Sequence, residues 1–146
     1  MTETLHFRIG LAGTYWKKQP EYSILVNDTV IKRDFITAES QETFYLEFDS
    51  EVLEGACTLK IRLENKDWTD TVENEDKTAI LKDMLLHIRS VEIDEIELGN
   101  LVYTKTLFVA DDSNRPTLDK CQDLGWNGAW TFQFESPFYI WLLENI

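Results

Sequence analysis

Apolar residues alternate with polar or small ones along most of the chain, which is the pattern of strands that bury one face. Leu5, Phe7, Ile9 and Leu11 form the first such run. Tyr22–Val26 and Val30–Phe35 flank Asn27-Asp28-Thr29, a turn-forming tripeptide that tolerates left-handed backbone, so a hairpin is predicted there. Phe44, Leu46 and Phe48 alternate with polar neighbours. After a Glu54-Gly55 turn, Cys57, Leu59, Ile61 and Leu63 do the same, and the two runs read as an antiparallel pair.

From Asn65 to Lys82 the alternation stops and acids gather around Trp68, so this stretch reads as a long loop. Strand pattern resumes over Met84–Ile88 and at Val91, Ile93, Ile96 and Leu98. Helix is the rival reading there, but β-branched residues and the Leu98-Gly99 ending favour strand. Leu101–Val109 gives another strand, Asp111–Gly125 a second polar loop, and Trp130–Phe134 and Phe138–Leu143 the closing strands. Eight or nine strands without a convincing helix predict an all-β fold. The expected form is one antiparallel two-sheet β-sandwich of jelly-roll type spanning 1–146.

Charge changes the functional picture more than the fold. The 146 residues include 27 acids and 14 bases, a net charge of -13. Such an excess argues against nucleic acid as a partner, because phosphate binding needs a basic stripe. The longest apolar runs fall far short of the roughly 20 residues that cross a bilayer as a helix, and no secretory signal is visible, so no membrane partner is expected. Cys57 and Cys121 are expected to stay unbridged. With only His6 and His87 beside them, the usual zinc spacings are missing. Nor is there a phosphate-binding glycine loop, a nucleophile elbow or a zinc-protease helix motif. With so many carboxylates some pair will always sit at glycosidase spacing, so catalysis has no positive support and a non-enzymatic role is expected.

The acidic loop is the strongest candidate site. Calcium takes several oxygen ligands, and Asn65, Asp67, Asp70, Asp76 and Asp83 could supply them, although the spacing is not that of a helix-loop-helix calcium motif. Of the five tryptophans, Trp130 and Trp141 lie in apolar runs and read as core. Trp16, Trp68 and Trp126 sit in loop-like contexts, where an indole can anchor a sugar or a protein partner.

Two resemblances add to this. Ile61-Arg-Leu-Glu-Asn65, the acidic loop, Lys82-Asp83 and Ser90–Ile96 follow an order that resembles the calcium-dependent xylan-binding modules, as does Tyr22–Asn27 after the Gly10–Pro20 loop. That resemblance implies a sandwich with Asn65, Asp67 and Asp83 as calcium ligands and a glycan as partner. Lys82–Gly99, Trp126–Trp130 and Ser136–Trp141 resemble small virion-associated proteins of T4-like tailed phages of marine cyanobacteria. This second resemblance implies a structural protein made in the host cytoplasm. It would be carried on the virion as a capsid decoration or tail component, with capsid or tail proteins as partners and host-surface glycan as a further ligand.

Overall fold

The computed structural model describes residues 1–146. The elements run β1 (Thr2–Thr14), β2 (Glu21–Val26), β3 (Thr29–Phe35), β4 (Phe44–Leu53), β5 (Gly55–Leu63), a 3-10 turn (Trp68–Asp70), β6 (Val72–Glu73), β7 (Ile80–Lys82), β8 (Leu85–Ile93) and β9 (Ile96–Glu97). There follow α1 (Leu101–Thr104), β10 (Thr106–Ala110), β11 (Leu118–Asp119), β12 (Asp123–Leu124), β13 (Gly128–Ser136) and α2 (Phe138–Asn145). One sheet has the order β12-β8-β1-β4 with β9 added to β8, and the other has β11-β10-β13-β5-β2-β3. All pairings are antiparallel, so the expected two-sheet sandwich is what forms.

The alternating residues point as their pattern requires. Leu5, Phe7, Ile9 and Leu11 of β1 meet Leu59, Ile61, Trp130 and Phe132 of the facing sheet in a cluster of 29 buried side chains. Trp130 and Trp141 belong to it, as expected, and both cysteines are free. The β2–β3 hairpin closes through Asn27 and Asp28, both left-handed at φ 49° and 65°, the geometry of a two-residue turn whose twist matches the strands.

Four expectations change. First, the stretches read as loops at 65–82 and 111–125 carry short strands: β6 pairs with β7 in a separate ribbon, β11 with β10 and β12 with β8. The runs at 44–48 and 57–63 do not pair with each other: β4 lies against β1, whereas β5 lies between β13 and β2, so the Glu54-Gly55 turn crosses between sheets. Alternation shows which face of a strand is buried, not which neighbour it takes. The run from Val91 to Leu98 is broken by a tight turn at Asp94 and Glu95, both at positive φ, with the Asp94 carboxylate accepting the His6 N–H at 2.8 Å. Finally, Phe138–Leu143 is helical, and Leu101–Thr104 is a helical turn that shortens the strand expected at 101–109. In α2, Phe138, Trp141 and Leu142 are buried while Tyr139, Ile140 and Leu143 are exposed, a spacing of three and four that a wholly apolar run conceals. Pro137 opens the helix, and the Glu3 carboxylate accepts the Phe138 N–H at 2.8 Å, satisfying a donor of the first turn.

On the outer face of β1, His6 stands 2.7 Å from Asp49 and 3.1 Å from Glu47 of β4, and these hydrogen bonds raise its pKa above the usual 6.5. The raised value means that the stability it contributes is present in full below the unfolded pKa and is lost as pH rises through the folded one. We predict that His6→Gln lowers the denaturation midpoint at about pH 5.5 and has a smaller effect at about pH 9. Equal effects at both would contradict the assignment.

Candidate functional site

The two polar loops meet because of strand order. In the larger sheet Leu63 is level with Gly128, and Gly128 with Ala110, so the chain leaves β5, enters β13 and leaves β10 at one end of the sandwich. Cross-links then fix the loops to one another. The Asn127 side chain accepts the Lys66 N–H at 2.8 Å and donates to the Lys66 carbonyl at 2.9 Å, as a paired strand would. Arg62 donates to both oxygens of Asp111 at 2.8 and 2.7 Å.

Between these loops lies a groove of about 920 Å³, lined among others by Lys66, Trp68, Asp83, Arg115, Trp126 and Asn127. Trp68 stands at its rim, 87% exposed, on the 3-10 turn. That turn is capped from both sides: the Asp67 carboxylate accepts the Thr69 N–H at 2.8 Å, and the Asp70 carboxylate accepts the Asp67 N–H at 2.8 Å. Lys18 bridges both carboxylates at 2.8 and 3.1 Å, and with Thr69 it holds Asp67 well below the usual carboxylate range. Trp16 braces the same turn from beneath through a 2.8 Å bond from its indole N–H to the Asp70 carbonyl, with the Lys82 ammonium 4.7 Å over its ring.

The three sequence-nominated tryptophans therefore differ in what they can do. Trp68 offers a bare face, and Trp16 is a strut outside the groove. Trp126 lies in the groove but is sandwiched between Phe108, at 5.8 Å between ring centroids, and the Arg115 guanidinium, at 4.5 Å. Its buried indole N–H has no partner within the protein.

Asp83 is half-buried at the groove floor. Burial pushes its pKa up, but hydrogen bonds from Lys66, Thr71 and the Met84 N–H outweigh that and hold it below the usual range. Lys66 reaches Asp83 at 2.7 Å and the Gly125 carbonyl at 2.5 Å. Thr71, Arg115 and Asn127 are not nominated by the sequence, and Lys66 stands out there only as the residue that interrupts Asn65 and Asp67.

Asn65, Asp67 and Asp83 do not converge on a common cation. The Asn65 amide accepts the Glu21 N–H at 2.8 Å and donates to the Gln19 carbonyl at 3.0 Å, Asp67 is taken by Lys18, and Asp83 by Lys66. No three His, Cys, Asp or Glu side chains gather closely enough to hold a metal. A calcium ion needs six to eight oxygens, so these residues as arranged do not fit one. His87 stands 2.6 Å from Asp123 and 2.7 Å from Thr14, an order of groups known from nucleophilic catalysis. None of the three lines the groove, and they serve to tie β12 and β8 to β1.

No protein-family model matches the sequence, and no curated protein matches it. Among the solved structures that share the fold are two of vCBM60. One is vCBM60 in complex with galactobiose, at a TM-score of 0.56 and 11% identity over 87% of this chain and 96% of that one. The other is the selenomethionine form of vCBM60, from a study of circular permutation linking two families of calcium-dependent carbohydrate binding modules. It has a TM-score of 0.56 and 12% identity over 88% of this chain and 89% of the other. This chain therefore shares the β-sandwich fold of vCBM60.

The cap on the 3-10 turn predicts a local effect. Asp67→Ala is expected to speed amide hydrogen exchange at Thr69 and to increase the mobility of the Trp68 indole in fluorescence anisotropy, while leaving exchange in β5 and β13 unchanged. Unchanged exchange at Thr69 would contradict the capping role.

Proposed function

We propose that this chain is a non-catalytic glycan-binding module whose groove between the 66–83 and 111–127 loops takes an oligosaccharide. The observation that carries this reading is Trp68: a large indole left almost wholly exposed on a turn that Trp16, Lys18, Asp67 and Asp70 hold in place. An exposed indole held in a fixed place offers a flat apolar face, and a sugar ring presents a matching face of C–H groups. The polar lining suits the rest of such a ligand. Hydroxyl groups both donate and accept, and the groove offers carboxylates at Glu73 and Asp112, amides at Asn74 and Asn127, and cations at Lys77 and Arg115. The shared sandwich supports the class of module and not the particular sugar.

A second reading is favoured by the exposed side of α2, where Tyr139, Ile140 and Leu143 stand in solvent beside Ile146. Here the chain docks on capsid or tail proteins of a virion and resides on the particle surface. The two readings use different surfaces, so one molecule can do both, with host-surface glycan in the groove.

Trp68→Ala is expected to weaken oligosaccharide binding by at least roughly tenfold in calorimetry while leaving the melting temperature close to that of the parent. A protein that binds no glycan on an array, or a variant that binds as tightly as the parent, would overturn the first reading. For the second, Ile140→Asp should abolish co-sedimentation with purified phage particles, and a parent that never co-sediments would remove it.

A further inference from the structure

The arrangement around Lys66 departs from calcium dependence in a specific way. Its ammonium sits between the Asp83 carboxylate, contributed by the segment before β8, and the Gly125 carbonyl, contributed by the segment before β13. Both are oxygens of the kind that bind hard cations. The root of the side chain is fixed because Asn127 clamps the Lys66 N–H and carbonyl, and the stem is enclosed, leaving the side chain only 12% exposed. Two further carboxylates of the groove are also paired: Lys18 neutralises Asp67 and Arg62 neutralises Asp111. A divalent ion would have to displace the ammonium or lie against it, and like charges at such range repel strongly in a partly buried site.

We propose that the Lys66 ammonium is the resident cation of this groove: it gathers the Asp83 carboxylate and the Gly125 carbonyl as a metal ion would, and presents its remaining N–H to a ligand oxygen, so that binding here needs no metal. An ammonium has three donors, and two are engaged by the protein. The third belongs to a residue that lines the groove. Its ligand half rests on the glycan reading, whereas its cation half is read on the ligand-free protein.

The test is a set of thermal melts in calcium and in excess EDTA for the parent, Lys66→Met, Asp83→Asn and the double variant, followed by a glycan array of the parent in both buffers. The parent should melt at the same temperature in both. Lys66→Met should melt roughly 5–10 °C lower, because it strands a partly buried carboxylate. Adding Asp83→Asn should recover part of that loss, since the stranded charge is then gone. A calcium-dependent rise in the parent's melting temperature would overturn the proposal, as would a Lys66→Met variant that melts like the parent. If Lys66→Met does not fold, a folded double variant supports the proposal and an unfolded one overturns it. Array signal that survives EDTA is expected, and signal in calcium alone overturns the proposal. An array blank in both buffers overturns the glycan reading together with the ligand half, while the melts still decide the cation half.

Discussion

The close approach of β13 to β10 at Gly128 is the contact on which the groove depends. A Cβ at that position would stand 2.4 Å from the Val109 carbonyl oxygen and 2.7 Å from the Ala110 Cα, distances that no side chain allows. Only glycine lets β13 enter the sheet level with both Leu63 and Ala110, and that register brings the two polar loops to the same end of the sandwich. The buried face of the sheet then holds the register: Trp130 and Phe132, just beyond Gly128, are fully buried against the core, and a slip of one residue would turn both outward.

Given that frame, electrostatics shapes the site. In a chain of net charge -13, carboxylates brought together would repel unless each had a partner. Asp67, Asp83 and Asp111 all have one, in Lys18, Lys66 and Arg62. The three pairs are not equivalent. Lys18 and Asp67 are 34% and 49% exposed and gain little from each other beyond positioning the turn, whereas Lys66 and Asp83, at 12% and 18%, meet with less water between them. The acidity of the loop thus serves to fix its shape, and what it leaves uncovered is the Trp68 indole.

Most of the fold could be read from the sequence because burial on one face imposes a period of two. That signal located β1, β2, β4, β5 and β13, while β3, which buries no face, is placed by the turn at Asn27 and Asp28. It failed where period was absent, as in the unbroken apolar run of α2. It was silent about partners, so β4 and β5 were matched with each other when each belongs to a different sheet. The site was legible in part: the 65–83 loop, Trp68, Trp126 and Asp83 do line or frame one groove, because polarity and a loop context mark residues that strands do not absorb. Composition could not show how the carboxylates are engaged. Asn65, Asp67 and Asp83 look alike as oxygen donors in a sequence, and only the fold shows that a strand end, Lys18 and Lys66 have claimed them.

The most direct measurement is a titration of the isotope-labelled protein with an array-selected oligosaccharide, followed by nuclear magnetic resonance in the presence of EDTA. The account predicts saturable shifts at the Trp68 indole N–H and at the backbone amides of Lys66, Thr71 and Asn127, with α2 and the β2–β3 hairpin unmoved. Shifts centred away from the groove, or shifts that require added calcium, would contradict it.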